Sequence, residues 1–184
     1  MPLYIAFLRA INVGGHTVKM DRLREIFESL GFANVETFIA SGNVVFETTA
    51  GDTGVLETRI ATALQEALGY EVATFLRTEA ELARVAAHQA FPQSQLDAAH
   101  ALNIAFLAAP LDAKAVEKLM AVKTAIDDFA THEREIYWLC LKKQSESTFS
   151  NAVLEKTLGR QSTLRGANTV QKMAAKYSPA EAQP

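Results

Sequence analysis

Val35-Glu36-Thr37-Phe38-Ile39, Ser41-Gly42-Asn43 and Val44-Val45-Phe46 read in succession as a strand, a tight turn and a return strand. β-Branched and aromatic residues suit the pleated backbone, while Gly and Asn tolerate the positive φ of a hairpin turn. Two helices frame this hairpin. Before it, Met20, Leu23, Ile26, Phe27 and Leu30 recur every three or four residues and Gly31 marks the stop. After it, Leu56, Ile60, Leu64 and Leu68 share one helix face and Gly69 ends the run. Outermost lie the strands Leu3–Leu8 and Val72–Leu76, the first apolar throughout, as expected of a strand covered on both faces. The order is β-α-β-β-α-β, the ferredoxin-like pattern.

Thr78 with Glu81 three residues on forms a capping box that opens a helix through Ala87. Phe91-Pro92-Gln93-Ser94-Gln95 reads as a polar, proline-bearing loop. The same order then returns. Leu102–Leu107 reads as a strand, and Asp112 as the N-cap of a helix bearing Val116, Leu119 and Met120. Ile126–Ala130 and Ile136–Leu141 read as a hairpin, flanked by Asp127-Asp128 and Glu133 with Glu135 on a solvated face. Ser147 is the expected cap of a helix carrying Phe149, Val153, Leu154 and Leu158, stopped by Gly159. Ser162–Arg165 reads as a short last strand and Val170–Tyr177 as a terminal helix, capped by Asn168 or Thr169. The expected fold class is therefore α+β: two tandem ferredoxin-like subdomains with antiparallel sheets. They span residues 1–77 and 101–184, joined by a helical connector over 78–100.

Of the 184 residues, 49% are apolar and 21% charged, enough apolar material for a real core. Lys plus Arg number 18 and Asp plus Glu 21, a net charge of −3. Bulk charge then does not hold the chain to nucleic acid or to anionic lipid, which require a basic surface. Nucleic acid and membrane are not expected partners. The only cysteine, Cys140, permits neither an intramolecular disulfide nor a Cys-based zinc site and reads as a buried inert thiol. The apolar run Leu3–Leu8 is far shorter than the roughly 20 residues that span a bilayer, so a cytoplasmic protein is expected. No phosphate-loop or dinucleotide fingerprint occurs, the histidines His16, His88, His100 and His132 lack ligand spacing, and no metal or cofactor is expected.

In the ferredoxin-like topology the first and second strands run the same way. The loop leaving the first strand and the hairpin therefore lie at one end of the sheet. That places Arg9, Asn12, Gly14, Gly15, His16 and Lys19 beside Ser41, Gly42 and Asn43. A loop feeding a helix N-terminus offers free backbone N–H groups and a favourable dipole to an anion. The glycines let backbone approach a ligand, Arg9, Lys19, His16 and Arg22 add actual or potential positive charge, and Ser41 and Asn43 add neutral hydrogen bonding. Near the C-terminus, Leu164-Arg165-Gly166-Ala167-Asn168 echoes Leu8-Arg9-Ala10-Ile11-Asn12. Arg165 and Lys172 are expected to join Arg9 in one cleft.

The segments Leu8–Gly15, Ser41–Phe46, Tyr137-Trp138 and Thr163–Val170 resemble a bacterial family, domain-of-unknown-function family 1697, over roughly Leu3 to Tyr177. Ala10 stands where the family usually has Gly. Near the C-terminus the family commonly shows T-R-N-W-N-T-V, whereas this chain has Leu164-Arg165-Gly166-Ala167-Asn168-Thr169-Val170. The resemblance implies two ferredoxin-like subdomains and no particular activity.

The functional expectation from the residues is binding of a small phosphate- or carboxylate-bearing ligand at the end of the first sheet. Two alternatives stay open: an enzyme using the same cleft, and a protein- or RNA-binding module. Ferredoxin-like sheets bind RNA through exposed aromatics on the central strands, here Tyr4, Phe7 and Phe46.

Overall fold

The structure, a computed structural model, describes residues 1–11, 15, 17–39, 42–49 and 51–178. Its elements are β1 (Leu3–Leu8), α1 (Met20–Ser29), β2 (Ala33–Thr37), β3 (Asn43–Glu47), α2 (Thr53–Leu68), β4 (Thr74–Thr78), α3 (Glu79–Ala87) and α4 (Gln93–Ala98), followed by β5 (Ala101–Phe106), α5 (Ala113–Met120), β6 (Asp127–His132), β7 (Glu135–Cys140), α6 (Asn151–Leu158), β8 (Thr163–Gly166) and α7 (Ala167–Tyr177). Two four-stranded antiparallel sheets form among the described residues, ordered β2-β3-β1-β4 and β6-β7-β5-β8. This is the ferredoxin-like arrangement twice over, as the hairpin reading requires.

The chain divides into two compact units, Met1–Arg84 with the end of the chain from Met173, and Val85–Lys172. These limits differ from the expected 1–77, 78–100 and 101–184. The end of α7 belongs with the first unit because Lys176 Nζ and Tyr177 Oη both bond Glu36 at 2.9 Å and Ser178 Oγ bonds the Glu79 carbonyl at 2.9 Å.

Local chemistry explains most boundaries. Gly69 and Gly159 end α2 and α6 in the left-handed region, at φ 83° and 63°, which glycine enters without a Cβ penalty. Asp112 caps α5 by accepting from Ala115 N–H at 2.7 Å. Five expectations give way, the first being the fourth strand, which runs Thr74–Thr78 rather than 72–76. The second strand runs Ala33–Thr37 rather than 35–39. Pro92 precedes the short helix α4 rather than a plain loop. Ser150, not Ser147, caps α6, because the Ser147 hydroxyl is drawn to the Asp127 carboxylate at 2.8 Å. Asn168 and Thr169 lie inside α7, which starts two residues earlier than a cap at either position would allow.

In the first unit the helix-facing core packs Tyr4, Phe27, Phe32 and Phe46 with the aliphatic residues of α1 and α2. Phe46 stacks on Phe32 with ring centroids 4.4 Å apart. In the second unit Trp138, Phe129, Phe149, Leu119 and Leu154 form the corresponding core, with Cys140 buried among them. Asp127 and Glu135, expected on a solvated face, are each only 2% exposed. Asp127 is held by Trp138 Nε1 and Thr124 Oγ1, each at 2.8 Å, and by Ser147.

Candidate functional site

Strand pairing builds the suspected corner of the first unit. Phe7 lies opposite Asn43, and Leu8 N–H donates to the Gly42 carbonyl at 2.8 Å. On the other side, Arg9 N–H donates to the Ala73 carbonyl at 2.9 Å. The end of β1 thus meets the residue before β3, at the sheet end where the topology argument set them, and the start of β4 joins them. Arg9 is half-buried here, and Lys19 is the exposed residue at the N-terminal boundary of α1, with no side-chain cap of its own.

The neighbouring residues take different duties. Asn43 is fully buried, and its Nδ2 donates to the Phe38 carbonyl at 2.8 Å, so its amide holds the hairpin closed. Gly42 has φ 81°, and a Cβ there would meet Ile11 Cγ2 at 2.7 Å; both the conformation and the space require glycine. Arg22 pairs with Glu25 at 3.4 Å along the exposed face of α1. Gly15 is exposed, at φ 83°. The candidate residues Asn12, Gly14, His16 and Ser41 lie outside the described residues.

Two further features mark this corner. Ala10 and Ile39 have φ of 52° and 56°, the left-handed region that costs an L-residue about 1–2 kcal/mol. For β-branched Ile39 it is a genuine outlier. Thr74, opposite Leu8 in the sheet, is buried and its Oγ1 has no hydrogen-bond partner among the described residues.

Arg165 and Lys172 belong to the second unit. Lys172 is exposed. Arg165 is 7% exposed, with Nη1 donating to Thr163 Oγ1 at 2.7 Å and to the Leu164 carbonyl at 2.8 Å. Burial pushes its pKa down to about 10. The register corrects the sequence echo between Arg9 and Arg165. Arg165 lies opposite Ile104 as Arg77 lies opposite Ile5, and Arg77 Nη1 likewise donates to the preceding carbonyl, of Leu76, at 2.8 Å. The internal repeat therefore matches Arg165 with Arg77, and both arginines have buried structural roles.

Tyr4, Phe7 and Phe46 are 3%, 0% and 0% exposed, so these rings serve the cores and not a stacking surface. Cys140 is buried, and desolvation raises its thiol pKa, as expected for an inert thiol. His88 and His132 stack at 3.9 Å in the second unit, and burial, then the neighbouring His132, lowers the pKa of His88. Among the described residues no group of three or more His, Cys, Asp or Glu could hold a metal ion, and no helix is long and apolar enough to cross a membrane.

Sequence reasoning missed a pocket of about 470 Å³ in the second unit, lined by Asn103, Gly166, Ala167, Asn168 and Gln171 among others. Its signal was faint: Gly166 leaves a gap only once it is known to pair with Asn103.

Comparison with known proteins agrees with this fold. The model of one family, described as Protein of unknown function (DUF1697), matches residues 1–137. A solved structure, of a conserved bacterial protein from Streptococcus pneumoniae, superposes with a TM-score of 0.76. It is 21% identical, and the match covers 95% of this chain and 97% of that one. No curated protein matches the sequence.

Proposed function

Taking as premise that the chain belongs to the family described as Protein of unknown function (DUF1697), we propose that it is a binding protein for a small anionic ligand, phosphate- or carboxylate-bearing, held at the β1–α1 end of the first unit. The observation that carries this reading is the pair of left-handed non-glycine residues, Ala10 and Ile39. They lie on the two segments that converge beside Arg9. Backbone strain of this kind persists only where the surroundings over-determine it, and it concentrates at ligand-binding loops. The buried Thr74 hydroxyl and the cationic side chains of Arg9 and Lys19 supply hydrogen bonding and charge of the matching sign.

The test is a thermal-stability screen of the native chain against nucleotides and phosphorylated or carboxylated metabolites. A ligand present at 100 times its Kd stabilises by about 2.7 kcal/mol, an easily read rise in Tm. Arg9→Ala then weakens binding by about 1.5–3 kcal/mol, the scale of a hydrogen bond to a charged group. A flat screen across the whole panel contradicts the reading.

A further inference from the structure

We infer that the second unit carries a separate pocket for a small organic monocarboxylate, between the start of β5 and the first turn of α7. Asn103 is 8% exposed, lines the pocket, and its Nδ2 has no hydrogen-bond partner among the described residues. A buried amide left in this state loses its hydration without replacement, which a ligand acceptor would restore. The second element is the N-terminus of the 11-residue helix α7, at Ala167 and Asn168 in the same wall. Its first N–H groups have no intrahelical acceptor and carry the positive end of the dipole.

The first unit shows that such a corner need not be open. Thr78 lies opposite Tyr4 as Gly166 lies opposite Asn103. There the helix that follows, α3, closes its own N-terminus. Thr78 Oγ1 accepts from Glu81 N–H at 3.2 Å, Glu81 Oε2 accepts from Thr78 N–H at 2.8 Å, and Glu79 adds a second acid in the first turn. At the same position the second unit has Gly166 and Ala167, neither with a side-chain acceptor, and α7 has no acidic residue in its first turn. A Cβ built on Gly166 meets nothing within 4 Å. The space beside Asn103 is therefore accessible to a guest.

The lining chooses the guest. It contains no lysine or arginine, and His100 is its only titratable side chain. A dianionic phosphate would enter without a full countercharge, which is costly. A monocarboxylate matches one helix end together with the amides of Asn103, Asn168 and Gln171. Leucine and alanine side chains from α4 and β5 complete the wall and suit an apolar body. This site involves different residues from the first-unit corner, so either can fail alone.

The experiment is calorimetric titration of the full-length chain with hexanoate and, separately, with inorganic phosphate. Hexanoate is expected to bind, and Asn103→Leu to weaken it at least tenfold without lowering Tm, since an apolar replacement removes a buried unpaired amide. Gly166→Val, whose Cβ enters open space, is expected to weaken it at least tenfold as well. The proposal is overturned if hexanoate does not bind, if both variants bind it like the native chain, or if phosphate binds as tightly and is lost in the same variants. A fall in Tm on Asn103→Leu with affinity unchanged would assign the amide to the fold and overturn the proposal too.

Discussion

The row Phe46, Tyr4, Thr78 crosses the first sheet where Trp138, Asn103, Gly166 crosses the second. In the first unit the row is filled: Tyr4 and Phe46 stack with centroids 5.8 Å apart, and Thr78 closes the next helix. In the second, Trp138 turns its Nε1 to Asp127, Asn103 keeps an orphan Nδ2, and Gly166 leaves a gap. At the opposite ends of the sheets both hairpins hold a left-handed non-glycine residue, Ile39 at φ 56° and Glu133 at φ 50°, and it is the loops after β1 and β5 that differ. Leu8 N–H bonds Gly42 O as Leu107 N–H bonds Arg134 O, yet the segment after β1 holds the strained Ala10 while 107–112 after β5 contains no positive φ. One topology, repeated, thus keeps each sheet paired and varies what is left open at its ends. What each end offers chemically follows from which row positions have side chains, not from the fold.

The largest expected effect is at Asp127, which holds Trp138 of the second row through its Nε1. Burial raises its carboxyl pKa, but hydrogen bonds from Trp138, Thr124 and Ser147 outweigh this and the net shift is downward. Asp127→Ala leaves those donors without their acceptor and is expected to destabilise by about 2–4 kcal/mol in denaturant titration. The same geometry sets a pH dependence. A carboxyl with a depressed folded pKa contributes stability that is fully present above the ordinary carboxylate range, about pH 4. It is lost as the pH falls through the folded value. Emission from Trp138, the chain's single tryptophan, should report the second core loosening on acidification, and the effect should vanish in Asp127→Ala. An acid transition unchanged in that variant would contradict the assignment.

A smaller effect sharpens the contrast between the loop ends. Ala10→Gly relieves a left-handed alanine and is expected to stabilise by about 1 kcal/mol. Ala109→Gly, at the corresponding place after β5, has no strain to relieve and should destabilise by about 0.4–1 kcal/mol through the unfolded chain. Effects of the same sign at both positions would remove the difference between the two ends.

Much of this was legible where the information is local. The hairpin between two helices gave the strand order, Gly69 and Gly159 ended their helices, and Thr78 with Glu81 formed the expected capping box. What failed was tertiary. Ser147 and Ser150 are equally good caps on paper, and only Asp127, 20 residues away, decides between them. Arg165 was expected to face a cleft with Arg9, and its burial depends on register across the sheet, which the sequence does not show. Asn43 read as a ligand amide and proved to clasp Phe38, a bond no spacing rule specifies. The Asn103 pocket depends on a missing side chain one strand away.

The most direct test compares the two helix ends in one sample. Backbone and side-chain amide NMR shifts of the native chain are followed as hexanoate is added. Binding in the Asn103 pocket predicts saturable shifts at Gly166, Ala167, Asn168 and the Asn103 carboxamide, with Glu79, Ala80 and Glu81 unmoved. Equal shifts at both helix ends, or shifts confined to Glu79–Glu81, would contradict it.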